Sequence, residues 1–315
     1  MDKCIDSLLS AKDDVEIIIV DDGSTDKTGK IADKYAIKYP SVVKVVHQPN
    51  GGHGEGINTG LKVATGKYFK IVDSDDWVDK RNLKSIIKLI KKIDSDMIVT
   101  NHVFTYKDKR PNKCIRFNNV FKSNQEITWN DTHRFKSNQY LSLHSVMFKK
   151  SILDKTKIKL PKHTYYEDNL FVYLPMINIK TIYYLDKDFY RYYIGRTNQS
   201  INMDCLIKHY KDQINIAKLM CNAYDLSKIT NKKLRKAMIH MCDNMVTTAI
   251  VITRTARQKD YKQVYKDLWE YISNNNPYLY KQLKRWSISK LVSIPGSIGD
   301  YLCKKSYITV VKKLY

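Results

Sequence analysis

Two short apolar runs, each ending in a cluster of acids, constrain this chain more than any other feature. Residues 15–20 read VEIIIV and pass straight into Asp21-Asp22-Gly23-Ser24-Thr25-Asp26; residues 67–72 read KYFKIV and pass into Asp73-Ser74-Asp75-Asp76. A β-branched run of this length between charged residues predicts a strand buried on both faces, the kind found in parallel sheets covered by helices. Between the two runs, residues 25–36 have helical spacing (Ile31, Ala32, Tyr35, Ala36) and residues 42–46 form a second apolar strand. Strand, helix and strand in that order make a βαβ unit. The glycine-rich stretch 51–60 then leads into a helix through Leu61 and Ala64, closed by Gly66 as its C-cap. Residues 81–93 place Leu83, Ile86, Ile87 and Ile90 on one helical face, and residues 96–101 predict another strand. Residues 105–129 alternate as antiparallel strands do. Beyond residue 198 the period is helical, over 204–224, 231–256 and 259–273. The pattern predicts an α/β fold with a C-terminal helical region.

Ligands of open α/β sheets sit beyond the carboxyl ends of the strands. Asp73, Asp75 and Asp76 gathered there repel one another unless a cation joins them. Mg²⁺ or Mn²⁺ suits the position, since these hard ions take carboxylate, water and diphosphate oxygens. A solvated acidic turn with a helix N-cap is the competing account of the same residues. In the first cluster a carboxylate, Asp21 or Asp22, can accept from a base N–H or a ribose hydroxyl, while Ser24 or Thr25 caps the next helix. Capping accounts for Ser24, Thr25 and Asp26, but not for two acids directly at a strand's end.

The segments VEIIIVDDGSTD and INTGLKVATGKYFKIVDSDDWVD resemble the inverting family-2 glycosyltransferases of the GT-A fold. The resemblance covers most of residues 4–80. It implies a nucleotide-sugar-binding, Rossmann-like mixed sheet with a donor half over 1–104, an acceptor half over 105–202 and a basic helical region over 203–315. It further implies that Asp22, with Asp21 beside it, contacts the base, that Asp73 lies near the ribose, and that Asp75 bears the metal between Asp73 and Asp76. HTYYEDNLFVYLP sets Glu167-Asp168 where the family usually has an acidic pair, which makes Asp168 the general base for the acceptor hydroxyl; helix capping is the plainer account of these acids. FYRYYIGRTNQSIN (189–202) looks like the family's closing strand and loop, where Arg191 or Arg196 neutralises the leaving diphosphate. Two departures stand out. The family's Ala-Arg-Asn becomes Gly56-Ile57-Asn58, which keeps Asn58 for the donor but loses the basic group; His53 either takes over part of its function or is a polar loop residue. The family's usual first strand, with its Pro-x-Tyr-Asn type loop, is missing too. A form extended upstream by about twenty residues is therefore expected to be more stable and more active.

Charge bounds the partners. The formal charge is +23, yet residues 1–100 hold 16 basic and 16 acidic residues, so the excess lies beyond them, 39 against 16. Such a field attracts an anionic lipid surface or an anionic polymer. A basic, aromatic-rich protein without catalysis that holds an anionic polymer or nucleic acid is the competing class; acids concentrated where a metal would sit favour the enzyme, for which no nucleic acid partner is expected. Six scattered cysteines without a CxxC pair argue against zinc and for a reduced cytoplasm. The longest apolar run, 245–252, is too short to span a bilayer. The expected reaction is transfer of a sugar from a nucleotide diphosphate sugar, a UDP-sugar, to a surface-glycan or polyprenyl-linked acceptor. The expected place is the inner face of the membrane, with the protein bound peripherally. Residues 278–315 carry eight Lys/Arg against Asp300, interleaved with Tyr280, Trp286, Leu291, Ile294, Ile298, Tyr301 and Leu302, a composition suited to an anionic interface.

Overall fold

In the computed structural model the described residues are 1–303 apart from 109, 197–198, 257–260, 286 and 297. They divide into one unit of residues 1–131 and 141–194 and another of residues 132–140 and 195 onward. In the first unit α1 (Asp2–Leu8) precedes β1 (Ile17–Asp22), α2 (Thr28–Lys38) and β2 (Val43–Gln48). β1 and β2 pair in parallel from Ile17↔Val43 to Asp22↔Gln48, which is the expected βαβ unit. They stand as a two-stranded sheet of their own, packed through Ile17, Val42 and Val43. Next come α3 (His53–Val63), β3 (Tyr68–Phe69), β4 (Trp77–Val78), α4 (Lys80–Ile90) and β5 (Met97–Tyr106). The unit is completed by β6 (Lys113–Ile115), β7 (Glu126–Thr128), β8 (Val146–Lys149), α5 (Lys150–Thr156), α6 (Asp168–Tyr173) and β9 (Thr181–Ile194).

The larger sheet has seven strands in the order β3-β8-β5-β9-β4, with β6 on β5 and β7 on β9. It is mixed: β5 and β9 run parallel, and the other pairs are antiparallel. The first eight residues of β5 are all buried, as a strand covered on both faces requires. α4 packs Leu83, Ile86 and Ile87 onto Ile98, Met147 and Phe189, and Asp79 caps its first turn by accepting from the backbone N–H groups of Arg81 and Asn82. The strand expected over 67–72 is shorter than its apolar pattern. Only Tyr68 and Phe69 pair with β8, because Lys70 turns its side chain into the sheet and gives its ammonium to the carbonyls of Leu143, His144 and Val146 at 2.6, 2.8 and 3.1 Å. Side-chain donors replace ladder hydrogen bonds, and the chain runs irregularly from there to the acids.

The second unit is helical: α7 (Met203–Lys208), α8 (Tyr210–Asn222), α9 (Lys232–Ala256), α10 (Tyr261–Asn275), α11 (Pro277–Arg285) and α12 (Ile288–Val292). The expected helices are present, the first of them broken at His209. Ile216, Met238, Val246, Ile250 and Leu268 form its buried interior. The Arg254 guanidinium fastens the far end, donating to the carbonyls of Val292 and Ile294 and to Asp300. Among the described residues no helix is long and apolar enough to cross a membrane.

Candidate active site

The acids at the end of β1 turn back into the chain. Asp21 accepts from the Ser24 N–H at 3.1 Å and meets His47 Nδ1 at 2.8 Å. Asp22 accepts from the Gly51 and Gly52 N–H groups at 2.9 and 2.7 Å and from Gln48 at 2.6 Å. It thereby fixes the turn that starts α3. Gly52 has φ +82, and a Cβ there would meet the His163 backbone N at 3.0 Å, so glycine is needed twice over.

α3 then reaches the second cluster. His53 Nδ1 lies 2.7 Å from Glu167 Oε1, and its Nε2 lies 3.2 Å from Asp73 Oδ1. Burial works against a charge on His53, but the two carboxylates outweigh it and hold the imidazole well above its ordinary pKa. Gly54 lets this turn come close: a Cβ would stand 2.7 Å from the Pro161 carbonyl and 2.8 Å from Glu167 Cγ. Asn58, expected to serve the donor, spends its amide on the chain, donating to the Leu160 carbonyl and Glu55 and accepting from the Leu160 N–H.

Asp73 and Asp76 sit with His144 so that one ligand atom from each lies within 4.8 Å of the others. Asp75, half-buried beside them, is not part of that group. Burial pushes the Asp73 carboxyl up, but His144 and His53 overcome it and hold it well below the usual carboxylate range. Asp76 goes the other way, to about 8, through burial and the neighbouring charge of Asp73. Its oxygens accept from the Tyr190 hydroxyl at 2.7 Å and the Tyr193 N–H at 2.8 Å. Two carboxylates and an imidazole could hold a divalent ion, and a cation there would relieve the repulsion that raises Asp76. Behind them burial lowers the Lys70 ammonium to about 7, although Asp73 and Asp76 pull it back up. Asp168 opens α6 and is raised to about 6 by burial and by the Glu167 carboxylate.

The structure thus brings Asp73, Asp76, Glu167 and Asp168 into one neighbourhood. Arg191 instead pairs with Asp79 at 3.1 Å, and Arg196 belongs to the second unit, where its N–H donates to Gln199. His144, Lys70 and Tyr190 were not anticipated. For His144 the available signal was a histidine two residues ahead of the apolar run that becomes β8.

A mixed sheet with an acidic cluster beyond β3, joined through His53 to the Glu167–Asp168 pair, has the arrangement of the GT-A class of nucleotide-sugar folds. The described Glycosyl transferase family 2 matches residues 1–156, and the chain carries a domain of that family. It is 28% identical over 201 residues to the glycosyltransferase YibD of Escherichia coli K12, covering 62% of this chain and 58% of that protein. It is 32% identical over 208 residues to the poly(ribitol-phosphate) beta-glucosyltransferase of Bacillus spizizenii, covering 64% and 31%. The chain thus spans well under two thirds of both relatives. The crystal structure of TarS 1–349 from Staphylococcus aureus, in complex with UDP-GlcNAc, superposes with a TM-score of 0.68 at 21% identity, covering 98% of this chain and 87% of that one, and shares the fold.

Proposed function

We propose that this protein is an inverting, metal-dependent glycosyltransferase that moves one sugar from a UDP-sugar to a hydroxyl of a surface-glycan or polyprenyl-linked acceptor. The observation that carries the proposal is His53, whose two ring nitrogens tie the candidate base pair to the candidate donor cluster. The names of the relatives and the UDP-GlcNAc held by TarS support the same reaction.

In this mechanism Asp168 takes the proton of the acceptor hydroxyl as that oxygen attacks the anomeric carbon on the face opposite the diphosphate. Glu167 holds His53, and His53 holds Asp73, so the two ends of the reaction keep their spacing. Asp21, Asp22 and Asp73 serve the nucleotide end, with Asp22 and Asn58 acting through the backbone they fix. Mn²⁺ or Mg²⁺ held by Asp73, Asp75 and Asp76, with His144 beside them, would neutralise the charge gathering on the diphosphate. Arg191 is the candidate cation for the same charge.

A screen of UDP-sugars with and without Mn²⁺, with the product anomer read by NMR, tests the proposal. Metal-stimulated UDP release with inverted configuration is expected; retention, or no release from any nucleotide sugar, refutes it. We place the protein at the cytoplasmic face of the membrane. Exposed Leu291, Ile298 and Tyr301 among the basic residues of 278–303 support that placement, while Trp286 and residues 304–315 lie outside the described residues. Sedimentation with anionic vesicles should fall on removal of 278–315; equal recovery with neutral vesicles refutes it.

A further inference from the structure

Among the described residues four non-glycine residues have positive φ, and three of them, Lys157 (53°), His163 (48°) and Tyr166 (70°), fall in the ten residues that lead into Glu167. Such backbone is strained and persists only where the surroundings over-determine it. They do so here. The Leu160 N–H and carbonyl are both taken by the Asn58 amide at 2.9 and 3.0 Å, the His163 N–H donates to the Gly51 carbonyl at 2.8 Å, and Lys162 pairs with Glu55 at 2.9 Å. The inner side of the segment is clamped backbone. Its outer side is Lys157, Lys159, Lys162 and His163, all exposed, followed by Tyr165 at 40% exposure. No acid interrupts residues 157–166. Glu55 offsets Lys162, and the three lysines with that one acid leave a net positive charge on a rigid loop.

We propose that residues 157–166 form a docking ledge for the acceptor, and that the acceptor is an anionic glycan carrying phosphodiester groups. The inference rests on the glycosyltransferase reading, which makes Glu167-Asp168 the acceptor end. Ammonium groups bind phosphates as point charges, and a tyrosine face gives a sugar ring between two phosphates a flat apolar surface. A ledge already held rigid loses little conformational freedom when the polymer arrives. A membrane is a poorer occupant. Lipid binding draws on apolar side chains that enter the interface, and on this ledge Leu160 is only 2% exposed and points into the protein.

The test is fluorescence anisotropy with an end-labelled oligo(glycerol phosphate) and a neutral oligosaccharide of equal length. The wild type should bind the charged oligomer at least about tenfold more tightly, with affinity falling as salt rises. Lys157→Gln/Lys159→Gln/Lys162→Gln should lose at least about tenfold of that affinity while its thermal melt is kept, and the triple arginine variant should retain binding. UDP-sugar turnover, followed separately, reports on the catalytic reading. Equal affinity for both oligomers, or an unchanged triple glutamine variant, overturns the ledge. So does a triple glutamine variant that loses anionic vesicles but keeps the oligomer.

Discussion

Replacing Glu167 by glutamine and, separately, His53 by glutamine should move the acid limb of the pH–rate profile in opposite directions. Asp168 must be ionised to act as a base, and it is raised to about 6 by burial and then by Glu167, while His144 and His53 pull it down. In wild type, kcat/KM should therefore fall as the pH drops below about 6. Glu167→Gln removes a like charge. At the effective dielectric of a partly buried site a neighbouring charge is worth about 1–3 kcal/mol, so the limb should move to about pH 5 or lower. His53→Gln removes a cation and should carry the limb to about pH 6.5 or higher, a smaller shift because His53 ranks behind Glu167 and His144 in its effect on Asp168. Asp168→Asn should flatten the limb and lower turnover by roughly 10²–10⁴. Initial rates of UDP release at limiting donor, with saturating acceptor and constant ionic strength, give the profiles. If both substitutions leave the limb in place, or shift it the same way, Asp168 is not the group that titrates.

Asp75→Asn should abolish metal-dependent nucleotide affinity and leave the melting curve intact; calorimetric titration of UDP with and without Mn²⁺ decides it, and undiminished affinity removes Asp75 from the metal site. Lys70→Met leaves three inward carbonyls without their donor and should cost about 3 kcal/mol, somewhat offset by removal of a buried charge. Urea unfolding should show this as a lower midpoint at unchanged slope, and a change below about 1 kcal/mol would mean water takes over. Gly54→Ala must displace either the Pro161 carbonyl or Glu167, so transfer should fall about tenfold or more with donor affinity little changed. Wild-type transfer by that variant would show the contact to be slack.

The acid clusters were legible because cause and effect lie within a few residues: an apolar run makes the strand, and the acids that follow it stand at its end. The βαβ unit and most helices were legible for the same local reason. What the acids do there was less legible. Asp22 looks like a ligand-binding carboxylate, and its oxygens also accept from N–H groups about thirty residues on, because an anion at a strand end serves a glycine turn as well as it serves a ligand. Lys70 interrupts an apolar run without any local sign of its purpose; its carbonyl partners lie more than seventy residues later. His144 becomes relevant only when β8 pairs beside β3 and carries the preceding loop to Asp73. Sequence periodicity reports which face of an element is buried, and it is silent on which distant loop that face will meet.

α3 and the turn before it engage six partners at fixed angular positions: Asp22 before the helix, Glu167 and Asp73 through His53, Leu160 through Asn58, and the side chains of Val20 and Phe69 around Gly60. Each residue of a helix advances the next by about 100°, so one residue added or removed between His53 and Asn58 would swing every later contact out of reach of its partner. Gly56, with nothing within 4 Å of where a Cβ would stand, is open to exchange. Over evolutionary time this stretch can therefore drift by replacement at positions such as Gly56, while its length stays fixed even as neighbouring loops grow or shrink.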